Sequence, residues 1–291
     1  MANFVLAGTS VTGAGHRRDG TPCQDACFYE QRDEGTFALV ACDGAGSRSR
    51  SAEGAAAVAP TVGRLLLSNA EDVVSRRLRG DAIVDVARSA IEAIVGSSIT
   101  PCRPDDFACT MVALLVHGNT AMSCHIGDGA IVCLEAEIAR CISPPQRAAG
   151  GGSGTQFVTS PGALPRMWKY DVPEYLTGFL CCTDGAQPGL LNTVTSACSP
   201  LVVDAITRLD FACDNGERLR ELDTVIRYDL QSLTEDDITL VVARRANVKA
   251  RFGCPRCKQH SVVHKISPNR LAECGWCKRC HQQVYWRRLT A

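Results

Sequence analysis

The chain has 291 residues, 45% hydrophobic and 21% charged. That composition excludes a disordered protein and leaves room for one large domain plus a small appendage. The formal net charge of zero hides a polarised chain: residues 244–291 carry twelve Lys/Arg against the single acid Glu273, net +11, while residues 1–243 carry −11.

An opening strand is expected ahead of the polar TPCQDA segment that holds Asp25. The apolar run 37–41 reads as a buried strand ending at Asp43-Gly44. Residues 52–67 and 81–95 have helical length and mixed apolar periodicity. Runs 110–116 and 121–126 flank a His117-Gly118-Asn119 turn, and 130–134 extends the same pattern. Further strands are expected at 179–183, ending at Asp184-Gly185, and at 238–243, entered from Glu235-Asp236-Asp237. Strands and helices come in blocks, not in alternation, which favours an α+β layered protein over a doubly wound one. The GGGSG stretch at 150–154 marks a flexible loop, and RRANVKAR at 244–251 reads as a linker. The chain is therefore divided into a body of residues 1–243, the linker, and a small module at 252–291. No window approaches ~18 uninterrupted apolar residues, so no membrane span is expected. The N-terminal segment lacks a basic region and an apolar core of signal-peptide length, which makes a cytoplasmic address the expectation.

Seventeen cysteines suggest a disulfide framework until their placement is read. Twelve are scattered over 23–213, mostly inside apolar runs, where a thiol serves as a small hydrophobe. Five crowd the C-terminal module: Cys254, Cys257, Cys274, Cys277 and Cys280.

Four aspartates stand at the ends of expected strands: Asp43 in ACDGAGS, Asp128 in HIGDGA, Asp184 in CCTDGA and Asp236 in EDDITLVV. Asp-Gly is a common hairpin pair, and one instance alone reads as a turn. Three Asp-Gly-Ala instances, each closing an apolar strand, are harder to explain that way. The first leads into a helix-like region and not into a returning strand. Carboxylates gathered at one sheet edge repel one another unless hard divalent cations neutralise them.

This ordered set is Gln24-Asp25, Asp43-Gly44-Ala45-Gly46-Ser47, Cys109-Thr110, Gly127-Asp128-Gly129, Thr183-Asp184-Gly185 and Asp236-Asp237-Ile238-Thr239. It resembles the PPM, or type 2C, protein phosphatases over about residues 4–243. The resemblance implies a two-layer antiparallel β-sandwich flanked by helices, with two Mn2+ or Mg2+ ions at one end. It also implies hydrolysis of phosphoserine and phosphothreonine by a water bridging the metals, with no covalent intermediate. Carried over, Asp43 bridges the metals and Gly44 offers its carbonyl. Asp184 and Asp236 complete the first ion, and Asp25 serves the second. Asp128 matches the position that, with Asp184, holds a third, weaker ion in bacterial relatives. Asp236 is taken as the ligand of the Asp-Asp pair, with Asp237 in support. Phosphoprotein substrates follow, and a cognate Ser/Thr kinase and a von Willebrand A domain protein are further partners that the resemblance suggests.

Two departures from the family pattern stand out. Relatives place an arginine ahead of the Gln-Asp motif to bind substrate phosphate. Here the segment is GAGHRRDGTPCQD, so His16 takes the matching place, with Arg17 or Arg18 supplying charge. Eukaryotic members also carry a histidine where this chain has Ala45.

Cys254-Pro-Arg-Cys257 and Cys277-Lys-Arg-Cys280 are two CxxC knuckles 19 residues apart, the spacing of a four-thiolate zinc ribbon. Cys274 forms a rival pair with Cys277. One Zn2+ is expected there, with strands at 261–266 and 283–286. The ribbon's charge suits protein docking or substrate recruitment, or alternatively nucleic acid through Trp276, Tyr285 and Trp286. A pseudophosphatase scaffold is the remaining alternative, and the full set of aspartates weighs against it.

Overall fold

A strand without polar alternation needs apolar cover on both faces, and the arrangement of the larger unit supplies it. A computed structural model describes residues 3–135, 138–146, 154–209 and 214–246, with four short strands beyond them. The chain divides into two compact units, Met1–Ala246 and Asn247–Ala291.

In chain order the first unit runs β1 (Phe4–Val11), α1 (Ala14–Asp19), β2 (Ala26–Asp33), β3 (Thr36–Cys42), α2 (Ser51–Ser68), α3 (Ala70–Val74) and α4 (Gly80–Ser97). There follow β4 (Met111–His117), β5 (Thr120–Ile126), β6 (Ala130–Glu135), β7 (Ile138–Ser143), β8 (Arg166–Asp171) and β9 (Leu176–Cys182). Helices α5 (Gln187–Leu190), α6 (Pro200–Thr207) and α7 (Asn215–Val225) precede the closing strand β10 (Ile238–Arg245). Two five-stranded antiparallel sheets result, ordered β1-β10-β9-β6-β7 and β2-β3-β4-β5-β8.

The sheets face each other across a layer that includes Phe4, Phe37, Leu114, Ile131, Phe179 and Val241. The Phe4 and Phe37 ring centroids are 4.8 Å apart, and Phe37 lies 6.3 Å from Phe179. Strand β3 shows why its sequence TFALVAC is apolar throughout. Phe37, Leu39 and Ala41 belong to the layer between the sheets, whereas Ala38, Val40 and Cys42 join the core formed with α2 and α4. On the outer side of the other sheet, α6 and α7 add Val202, Ile206, Leu222 and Val225 to a third core with Leu180, Leu240 and Val242. The expected sandwich flanked by helices is the observed architecture.

The strands expected from apolar runs and the helices expected at 52–67 and 81–95 lie within a few residues of their observed bounds. Strands β2, β7 and β8 were not anticipated, because each is partly exposed and mixes charge into its run, with burial fullest in the central strands. Helices α6 and α7 were missed too, although both carry start signals. Ser199 accepts from the Leu201 amide with Pro200 at the first helical position, and Asp214 and Glu217 form a capping box. Eleven described cysteines are free, and Cys42, Cys109, Cys124, Cys133, Cys181 and Cys182 are buried among the three cores as small hydrophobes.

In the second unit, β11 (Arg251–Gly253) pairs antiparallel with β12 (His260–Val262), and β13 (Glu273–Cys277) with β14 (Gln282–Trp286). Cys254, Cys257 and Cys280 lie outside the described residues, as does most of the Gly-rich stretch 150–154 and part of the strand expected at 261–266. Cys274 and Cys277 fall on β13. Among the described residues, no helix is long and apolar enough to cross a membrane.

Candidate metal centre

Antiparallel register decides which strand ends meet. Ala26 pairs with Cys42, Met111 with Ile126, and Cys182 with both Ala130 and Leu240. The C-terminal ends of β3, β5 and β9 therefore lie beside the N-terminal ends of β2, β4, β6 and β10. Asp25, Asp43, Asp128, Asp184 and Asp236 all sit at those ends, at one edge of the sandwich.

Asp43, Asp128 and Asp184 each offer one carboxylate oxygen, and these lie within 4.8 Å of one another. Burial raises the Asp43 carboxyl well above the usual range, and the charges of Asp25, Asp184, Asp128 and Asp236 add to it. Burial pushes Asp184 up to about 7, with Asp128 and Asp236 contributing. Asp25 is pushed up to about 8 by burial, against the hydrogen bonds of Thr183 and Thr239, with Asp237 and Asp184 adding repulsion. Groups so crowded stay ionised only beside a strong positive charge. An all-oxygen donor set selects hard cations of the magnesium and manganese kind.

The backbone around the ligands is pinned by residues of the same motifs. The Asp43 amide donates to Thr110 Oγ1 at 3.0 Å, and the Thr110 amide donates to the Asp43 carbonyl at 2.8 Å. Gly44 has no room for a side chain, since a Cβ there would lie 2.6 Å from the Gln24 carbonyl oxygen and 2.9 Å from the Ser51 carbonyl carbon. Gly127 holds φ at +107°, a conformation that side chains resist, just ahead of Asp128. Thr183 joins the two sheets: its hydroxyl donates to Asp25 Oδ2 at 2.7 Å and accepts from the Thr239 amide at 3.0 Å.

The two neighbouring acids at 236–237 have different environments. Asp236 is exposed, and its Oδ1 accepts from the Asp237 amide at 2.8 Å. Asp237 is buried and accepts from the amides of Gly13 at 2.7 Å and Gln24 at 2.6 Å. It thus ties both ends of the 12–25 segment, and with it Asp25, to the strand that follows Asp236. His16 Nδ1 lies 3.0 Å from Asp237 Oδ2. Of the basic residues considered for phosphate, His16 is therefore turned to a carboxylate. Arg17 donates to the Thr12 carbonyl, and Arg18 forms an exposed ion pair with Glu235 at 2.6 Å. Position 45 is a buried alanine.

Asp237→Asn should destabilise the fold by about 2 kcal/mol, because the amide cannot accept from both backbone N–H groups and its NH2 faces a donor. Urea unfolding measures this, and an unchanged midpoint would contradict the tie. Sequence reasoning missed Thr155 and Gln187, which bond Asp128, and Gln146, which bonds Gly127. Neither residue type nor spacing signals such contacts, since each depends on tertiary placement.

The family model described as protein phosphatase 2C matches residues 12–222. The chain is 25% identical over 263 residues to Serine/threonine-protein phosphatase 3 of Escherichia coli (strain K12), covering 83% of this chain and 98% of that protein. Its fold is similar to that of the catalytic domain of the serine threonine protein phosphatase PstP in complex with two manganese ions. The TM-score is 0.58 at 17% identity, over 85% of this chain and all of that one. It is also similar to Stp1 from Staphylococcus aureus, with a TM-score of 0.57 at 14% identity, over 82% and 95% of the two chains. The chain belongs to the protein phosphatase 2C family of metal-dependent phosphatases.

Proposed function

We propose that the protein removes phosphate from phosphoserine and phosphothreonine in protein substrates, using two Mn2+ or Mg2+ ions. Asp43 and the Gly44 carbonyl, with Asp25, Asp184 and Asp236, would hold the pair, and Asp128 with Asp184 a third, weaker ion. The observation that carries this reading is the convergence of partly buried, mutually repelling carboxylates from both sheets at one edge. Such ions, when bound, acidify a water and offset phosphoryl charge, so that phosphate ester hydrolysis needs no nucleophilic side chain.

The chain's own residues do the positioning. Asp237 fixes the spacing of the segments that carry Asp25 and Asp236, and Thr183 orients Asp25. Phosphate recognition falls to the basic residues of α1. Arg18 suits it best, because an exposed ion pair with Glu235, the residue before Asp236, is readily exchanged for a dianion. With alanine at position 45, no side chain there can hand a proton to the departing alkoxide.

The C-terminal module we assign as a zinc ribbon held by Cys254, Cys257, Cys277 and Cys280, serving to dock a partner or substrate. Its two CxxC pairs and its antiparallel hairpins support this. A kinase of opposite activity would be a fitting partner.

The test is hydrolysis of p-nitrophenyl phosphate and of a phosphothreonine peptide by the full chain. Turnover should require manganese or magnesium and stop with EDTA. No turnover under either metal would sink the enzyme reading.

A further inference from the structure

We infer that Thr155 is a positioning residue for the metal centre, setting the orientation of the Asp128 carboxylate. The inference rests on the metal reading proposed above. Asp128 occupies the turn between β5 and β6, and the backbone of that turn is held from two sides. Gly127 donates its amide to Gln146 Oε1 at 3.0 Å, and its carbonyl accepts from the Gln146 amide at 3.0 Å. Gln146 Nε2 also donates to the His125 carbonyl at 2.7 Å. On the other side, Gln187 Nε2 donates to the Asp128 carbonyl.

With the backbone fixed, the freedom left to Asp128 is rotation about its side-chain bonds. The Thr155 hydroxyl removes it by donating to Asp128 Oδ2 at 2.5 Å. The second oxygen, Oδ1, is buried and has no hydrogen-bond partner among the described residues. A buried carboxylate oxygen without a partner is costly in the absence of a cation. Here the carboxylate offers a ligand atom within 4.8 Å of those of Asp43 and Asp184. The hydroxyl on one oxygen thus leaves the other as the one free to serve a cation, the role that outer hydrogen bonds play at metal-binding carboxylates.

The loss of such a bond costs a metal site roughly 10- to 100-fold in affinity. The experiment is calorimetric titration of the metal-free full chain with Mn2+, which reads binding and not turnover. Asp128→Asn should abolish the weakest binding event. Thr155→Val should weaken that same event by roughly 10-fold or more and leave the tighter events in place. Thr155→Ser keeps the hydroxyl and should behave like the wild type. Circular dichroism of each metal-free variant reports whether it folds, and Thr155→Ala, which also lacks the hydroxyl and should weaken the same event, answers the question if the valine variant does not.

A Thr155→Val isotherm matching the wild type would overturn the assignment. So would tighter binding, which would mean that the hydroxyl competes with the cation. Equal weakening in Thr155→Ser would show that bulk and not the hydrogen bond matters, and the assignment would fall. An unchanged Asp128→Asn isotherm would remove Asp128, and Thr155 with it, from the metal centre. Absence of manganese binding by the wild type would instead overturn the metal reading as a whole.

Discussion

Asp43→Asn should reduce manganese-dependent hydrolysis of p-nitrophenyl phosphate by roughly 10^3-fold or more. The several kcal/mol that a divalent ion contributes to a phosphoryl transition state correspond to that factor. Asp43 sits where the other four carboxylates crowd it, so its loss would affect every ion that the proposed cluster holds. The same substitution should raise the stability of the metal-free protein. It replaces a partly buried acid that desolvation and four like charges penalise with a neutral group of the same shape. Activity falls while metal-free stability rises, a combination that general misfolding cannot produce. Activity above about a tenth of wild type would contradict the role given to Asp43, because a tenfold loss corresponds to only about 1.4 kcal/mol.

The second large effect is a pH dependence of stability that runs opposite to ordinary acid denaturation. In the metal-free fold, Asp184 is pushed up to about 7 and Asp25 up to about 8, from an ordinary value of 3.8. Between pH 4 and roughly 8 the folded chain holds protons that the unfolded chain has released, so stability falls as pH rises through that window. The slope is about 1.4 kcal/mol per pH unit for each group that holds its proton in the fold after the unfolded chain has lost it. Manganese should offset it above pH 7, because the bound cation favours the ionised carboxylates. Urea unfolding in EDTA at pH 5, 6.5 and 8 measures the slope. Metal-free stability that is flat or rises across those values would contradict it.

Much of this was legible in the amino-acid sequence, for a physical reason. Strands such as β3, covered on both faces, have unbroken apolar runs, and the aspartates that end them interrupt those runs abruptly. The strand-end aspartates could therefore be named in order, while the sandwich itself came from the family resemblance. The choice between Asp236 and Asp237 came from the family resemblance, and the structure gives the two acids different environments, one exposed and one engaged by two amides. The half-exposed strand β8, with the sequence RMWKYD, has no such signature, because its pairing with β5 alone defines it. Thr155 was invisible for a related reason. Its partner Asp128 lies 27 positions away, in a different loop, and only tertiary folding brings them together. His16 was expected to face phosphate from its distance to Gly13. The structure places its Nδ1 3.0 Å from a buried carboxylate 221 residues later in the chain, a neighbour that local spacing does not contain.

The aspartates of the centre come from both sheets. Asp25 and Asp43 flank strands of one, Asp184 and Asp236 flank strands of the other, and Asp128 lies on the turn that crosses between them. The gap between the sheets is filled by Phe4, Phe37 and Phe179. Those rings are consequently the gauge blocks of the carboxylate cluster: the thickness of the hydrophobic layer sets the distance over which the carboxylates would share the proposed cations. Packing and catalysis in this protein are one dimension measured at two places.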